Sequence, residues 1–81
     1  MTASVFTKRY QKFRELLILY RNKAGLTQTQ LADRLKKPQS FVSKYENGER
    51  RLDLVEFIEI ADYLQLEPCK LIRKLLEEFE S

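Results

Sequence analysis

Only two glycines and two prolines are spread over the 81 residues of this chain, and that scarcity constrains the fold more than any other feature. A sheet built of short strands needs a tight turn every few residues, and glycine and proline make such turns most readily. Helices need far fewer. Apolar residues recur at spacings of three and four, the period of one helix face, so the expected architecture is all-α, a compact domain of five helices. The chain is long enough for one core and too short for two. Its 43 % of hydrophobic residues suffices for that core and argues against disorder.

The spacing predicts a first helix from roughly Phe6 to Lys23, with Phe6, Tyr10, Phe13, Leu17, Tyr20 and Ala24 on one face. Lys8, Arg9, Lys12 and Arg14 point elsewhere, and Gly25 suits the left-handed stop. A second helix begins at Thr27, where Thr27 and Gln30 match a capping box, and it buries Leu31, Ala32 and Leu35. Pro38 suits the start of a third helix over Gln39 to Asn47, with Gly48 as its stop. At about 100° per residue, Phe41, Val42 and Tyr45 fall on one arc of that helix. Ser40, Ser43, Lys44 and Asn47 fall on the opposite arc, with Gln39 at the tip. That outward arc is rich in hydrogen-bonding groups, where a merely solubilising face carries Glu and Lys. Asp53 caps a fourth helix expected to bury Leu54, Phe57, Ile58, Ala61 and Leu64. Pro68 opens a fifth carrying Leu71, Ile72, Leu75, Leu76 and Phe79.

The net charge of +3 hides a strong asymmetry. Met1 to Arg51 holds twelve Lys/Arg against four Asp/Glu, a balance of +8; Leu52 to Ser81 holds three against eight, a balance of −5. An anionic partner for the basic half and ordinary solvated charge fit this composition equally well. With no histidine, a zinc site, a histidine general base and a catalytic triad are all effectively excluded. There is no Gly-rich phosphate loop either, so no enzymatic activity and no cofactor is expected. Cys69 is the single cysteine, which rules out an intrachain disulfide, and a small buried hydrophobe is its expected role. No apolar run approaches the roughly 18 residues of a membrane span, and Met1 to Tyr10 lacks the apolar core of a signal peptide. The expectation is a cytoplasmic, nucleoid-associated protein.

Two stretches carry a family resemblance. Gly25-Leu26-Thr27-Gln28-Thr29-Gln30-Leu31-Ala32, followed by Phe41-Val42-Ser43-Lys44-Tyr45-Glu46-Asn47-Gly48-Glu49-Arg50-Arg51, resembles the lambda-repressor-like regulators, the Cro-type or xenobiotic-response-element-type helix-turn-helix family. The likeness covers about residues 16–76 of a single domain spanning 1–81, with residues 4–15 as an N-terminal helical extension. It implies a helix-turn-helix at the second and third helices, with the third in the major groove of double-stranded DNA. It aligns Gln39, Ser40, Ser43 and Lys44 with base-contacting positions. It aligns Gln28, Asn47, Arg50 and Arg51 with phosphate contacts, and Lys36 and Lys37 flank the turn where they can do likewise. A C-terminal cap is the competing role for Asn47. It places a partly buried bridge between Arg21 and Glu46, consistent with the inward wheel position of Glu46, so both are read as structural.

Two departures stand out: the family usually has glycine where Lys36 and Gln65 stand. A left-handed backbone there costs a non-glycine residue roughly 1 kcal/mol. The implied function is a sequence-specific transcriptional regulator, a dimeric repressor on a pseudo-palindromic operator. Leu71, Leu75 and Phe79 are the expected apolar contribution to a homodimer, with packing inside the monomer as their other role. For the N-terminal aromatics Phe6, Tyr10 and Phe13, packing against the fifth helix and a dimer contact are the two readings. The competing function is an antitoxin-like protein-interaction module in which DNA binding is secondary.

Overall fold

A computed structural model describes residues 7–78. Phe6 and Phe79, with residues 4 and 5 of the expected N-terminal extension, lie outside the described residues. Five helices follow in order: α1 (Lys8–Lys23), α2 (Gln28–Leu35), α3 (Gln39–Asn47), α4 (Leu54–Leu64) and α5 (Pro68–Glu78). There is no strand among the described residues. No helix among them is long and apolar enough to cross a membrane.

The starts of these helices follow from side chains that take up orphan backbone N–H groups. Thr7 caps α1 by accepting from the Tyr10 N–H. Thr27 and Gln30 close the expected capping box on α2. Asp53 and Glu56 form a second box on α4, its Glu56 half unforeseen. Pro38 sits one residue outside α3, at the cap itself rather than in the first turn, and makes no side-chain bond there.

The first four helices stop in the same way. The residue after each last turn is left-handed or leads into one: Gly25 at φ +75°, Lys36 at +59°, Gly48 at +83° and Gln65 at +55°. In each case the next N–H reaches back five residues, from Leu26 to Arg21, Lys37 to Ala32, Glu49 to Lys44 and Leu66 to Ala61. A second bond inside the first closes the Schellman arrangement, which satisfies carbonyls the helix leaves open. Leu26 and Leu66 are also buried, so each pins its chain reversal to the core. The two family glycines replaced here are therefore still left-handed turns, and Lys36 and Gln65 carry the strain.

The core is formed by all five helices. Leu17, Leu31, Val42, Tyr45, Ile60, Ala61 and Leu71 are almost wholly excluded from solvent. α2 packs chiefly on α3 and also on α4, while α1 packs on α3 and α5. The Phe13 ring meets Phe57 of α4 edge-on at 5.3 Å between centroids. The Tyr45 hydroxyl is buried without a protein partner among the described residues, and burial pushes the phenol pKa upward.

Four expectations need correction. On α4 the buried set is Phe57, Ile60, Ala61 and Leu64; Leu54 and Ile58 are exposed. That helix is apolar on two faces, and its packing on α2 and α5, with Phe57 against Phe13, decides which one turns inward. On α5, Leu71 is fully buried and Leu75 packs against the core, so Ile72 and Leu76 are the exposed apolar residues. Cys69 is exposed, because it lies about 200° around the helix from Leu71. Ala24 also lies outside the core, as the exposed residue that ends α1.

The turn after α3 has less room than the one at Gly25, where a Cβ would meet nothing within 4 Å. A Cβ on Gly48 would sit 3.1 Å from Cζ of Arg14, in a conformation L side chains avoid. Gly48→Ala is expected to lower stability by more than about 1 kcal/mol. Lys36→Gly removes the same strain in an exposed turn and is expected to be neutral or stabilising, despite the greater freedom glycine gives the unfolded chain. Urea titrations of the free protein read both, and a clear loss in Lys36→Gly contradicts the account of that turn.

Candidate nucleic-acid interface

α2 and α3 are adjacent, joined by the Lys36 turn, and α3 turns its Phe41–Val42–Tyr45 arc into the core. Its opposite arc is open: Gln39, Ser40, Lys44 and Asn47 are exposed and Ser43 is half-buried. The polar arc read from the helical wheel is therefore the solvent face of α3.

What orients that face begins inside the protein. Glu46 is 4 % exposed, the one charged side chain among the buried residues described. Its Oε2 accepts from Arg21 Nε at 2.7 Å, and its Oε1 accepts from Arg21 Nη2 at 3.0 Å. Arg21 Nη1 donates to the Leu26 carbonyl at 2.9 Å, tying in the loop before α2. The bond to Glu46 raises the pKa of Arg21, outweighing the opposite effect of burial. The expected bridge is thus present, with both forks engaged.

A second arginine, missed in the sequence, completes the grip. Arg14 Nη1 donates to the Glu46 carbonyl at 2.8 Å, placing a cation at the negative end of α3. Arg14 and Arg21 lie two turns apart on α1, so their shared face was the available signal.

From Glu46 a hydrogen-bond chain runs outward. Gln28 Nε2 donates to Glu46 Oε1 at 2.8 Å, and Gln39 Nε2 donates to Gln28 Oε1 at 2.8 Å. The ionised carboxylate only accepts. Gln28 must therefore turn its NH2 inward and its carbonyl toward Gln39. Gln39 in turn spends one N–H on Gln28 and keeps its other N–H and its carbonyl for solvent. Gln28, aligned with a phosphate contact, is here the link between the core and Gln39, with one N–H left over.

The remaining residues are more scattered. Asn47 Nδ2 donates to Ser43 Oγ at 3.5 Å, a long contact, and Gly48, not Asn47, ends the helix. The side chains of Ser40 and Lys44 make no hydrogen bond or ion pair among the described residues. Lys36 is exposed in its left-handed turn. Lys37 Nζ lies 5.3 Å from the centroid of the Phe41 ring. Past α3, Arg51 stacks its guanidinium 5.2 Å over the Tyr10 ring, and the Leu52 N–H donates to the Tyr10 hydroxyl at 3.1 Å. The N-terminal aromatics thus brace the segment holding Arg51, as well as packing toward α5, where Tyr10, Phe13, Arg51 and Leu75 line one groove. Arg50 is engaged differently: both terminal nitrogens bind Glu56, at 2.9 and 2.8 Å.

Two short helices joined by a tight turn, the second presenting a polar arc beside basic residues, define a helix-turn-helix protein. A helix-turn-helix family model matches residues 17–71. A solved structure, the XRE-family like protein from Pseudomonas syringae pv. tomato str. DC3000, is similar with a TM-score of 0.85 and 47 % identity, over 89 % of this chain and 88 % of that one. No curated protein matches the chain. The chain belongs to the XRE-type helix-turn-helix family, whose members are DNA-binding regulators.

Glu46→Ala leaves Arg21 without its carboxylate and cuts Gln28 loose. An uncompensated, largely buried guanidinium predicts a loss of about 3 kcal/mol, a large share of what a small domain has. Thermal denaturation measures it, and an unchanged midpoint contradicts the role given to the pair.

Proposed function

We propose that this protein is a sequence-specific, double-stranded DNA-binding transcriptional regulator, a homodimeric repressor that lays α3 in the major groove. The observation that carries this reading is the chain from Glu46 through Gln28 to Gln39. A solvent-facing glutamine with no internal partner is free to rotate its amide and accept either polarity. Gln39 is held with one donor and one acceptor outward, which matches the N7 acceptor and N6 donor of adenine. Ser40, Ser43 and Lys44 supply further donors and acceptors along the same arc, with Lys44 suited to guanine O6 and N7.

Around this arc, contacts to phosphate supply affinity without sequence choice. The spare N–H of Gln28 at the positive end of α2, the Asn47 amide, Lys36, Lys37 and Arg51 are the groups suited to it. Arg50, aligned with the same contacts, lies on this rim but has its fork filled by Glu56, which takes it out of that set.

One reading helix spans only a few base pairs. Two copies on half-sites about 10 base pairs apart give useful specificity, which makes a pseudo-palindromic operator the expected partner. Repression follows where such a site overlaps a promoter. Exposed Leu54, Val55 and Ile58 on α4, with Ile72 and Leu76 on α5, support a self-associating surface. They take the place of the Leu71 and Leu75 stripe, which faces the monomer core.

Binding to operator and scrambled duplexes across a salt series tests the reading once footprinting has located the operator. Gln39→Ala and Lys44→Ala are expected to weaken the operator by about 1–3 kcal/mol more than the scrambled duplex. Arg51→Ala is expected to weaken both almost equally and to reduce the slope of log affinity against log salt by roughly 0.9. Equal operator-to-scrambled ratios for Gln39→Ala and Arg51→Ala contradict the division of labour. For the dimer, light scattering of the operator complex is expected to show two chains, and Ile58→Glu is expected to leave one; a monomeric wild-type complex refutes it.

A further inference from the structure

Glu56 occupies an unusual place in the charge pattern. It belongs to the acidic half of the chain, yet its carboxylate sits within the basic rim around α3. Both of its oxygens accept from Arg50, at 2.9 and 2.8 Å. Oε1 also accepts from the Asp53 N–H at 3.0 Å. Arg50 Nη1 donates in addition to the Arg51 carbonyl at 2.9 Å, and the Arg50 guanidinium lies 4.9 Å over the Phe41 ring that Lys37 also approaches. Glu56 is the more sheltered partner, with its side chain 15 % exposed against 42 % for Arg50. The Arg50 bond holds the Glu56 carboxyl below the usual range, aided by the Asp53 N–H and by the charge of Lys37. Glu56 is therefore ionised at neutral pH.

A carboxylate offers the two-pronged acceptor that a phosphate offers. With that fork filled, the Arg50–Glu56 pair is neutral. A DNA strand passing it displaces no counterion on account of Arg50. Capping α4 does not require the charge, since a glutamine at the same place closes the box equally well. The charge is the part left over once the fold is accounted for.

We propose that Glu56 is an internal counter-anion that keeps Arg50 from neutralising a DNA phosphate, and so lowers the sequence-independent affinity of the protein for DNA. The proposal rests on the DNA-binding reading above and concerns its electrostatic component. A regulator competes against a vast excess of unrelated sequence, and restraint of its phosphate affinity reduces the fraction held there. Base readout by Gln39 and Lys44 does not pass through this pair, so the effect is the same on every duplex.

Glu56→Gln separates charge from capping. It is expected to bind a scrambled 20-base-pair duplex about fivefold tighter at 0.15 M salt, with a salt slope steeper by about 0.9, the contribution of one further phosphate. Its thermal midpoint is expected to stay close to that of the parent. The double variant Arg50→Ala with Glu56→Gln removes both charges and is expected to keep the parental slope. A parental slope in Glu56→Gln overturns the proposal. So does a double variant whose slope is shallower by about 0.9, because Arg50 would then already be on phosphate in the parent. A measurement on the unmodified protein guards against a folding defect in the variants. On addition of the scrambled duplex, the Arg50 Nε–Hε resonance is expected to hold its position while that of Arg51 moves; a comparable shift in Arg50 overturns the proposal. Failure of the unmodified protein to bind that duplex at low salt instead rejects the DNA-binding reading itself.

Discussion

A buried carboxylate is costly unless every lone pair that faces protein is answered, and in this protein one such group sets the relation between three helices. Arg21 takes both oxygens of Glu46, Arg14 takes its carbonyl, and Gln28 adds a bond from the first turn of α2. α1 thereby grips α3 by side chain and by backbone, and α2 is joined at the same point. Hydrophobic packing among Leu17, Leu31, Val42 and Tyr45 supplies cohesion without direction. The charged cluster supplies direction, because hydrogen bonds have preferred lengths and angles. The angle at which α3 presents its outer arc follows from that cluster.

The outer arc and the inner cluster are one system for the same reason. A lone, fully exposed ion pair is screened and worth little, whereas a carboxylate enclosed by protein holds its neighbours to one orientation. Buried, the Glu46 carboxylate imposes its acceptor-only character on Gln28 and, through it, on Gln39. The basic rim works by another rule. Arg51 rests on Tyr10, Lys37 on Phe41, and Arg50 on Glu56. These long side chains are pre-positioned by rings and by a counter-charge, with their heads at the surface.

Much of this was legible in the sequence, and the failures have physical causes. The helix starts at Thr27 and Asp53 and the stops at Gly25 and Gly48 were readable because capping is local chemistry. So was the inward turn of Glu46, since α3 has one apolar arc and Glu46 falls beside it. α4 misled because its run Leu54-Val55-Glu56-Phe57-Ile58-Glu59-Ile60 is apolar on two sides, and only its packing on other helices decides between them. Leu71 and Leu75 had two readings, a dimer surface and the monomer core, because periodicity marks a stripe without saying what covers it. Cys69 was assigned to the interior by residue type, where helix geometry alone would have placed it outside. The contacts of Arg14, Tyr10 and Glu56 were illegible for a shared reason: their partners lie at positions 46, 52 and 50, across turns whose geometry a linear pattern does not contain.

The contrast between tethered and untethered residues on α3 bears on how such a protein changes over time. Gln39 is bound into a network that reaches the core, so replacing it disturbs Gln28 and the surroundings of Glu46. The side chains of Ser40 and Lys44 touch nothing else by hydrogen bond or charge among the described residues. Exchanges at those two positions leave the scaffold's energetics nearly untouched while altering what the arc presents. Positions 40 and 44 can therefore vary at little cost to the scaffold, while Gln39 is inherited with the network that holds it.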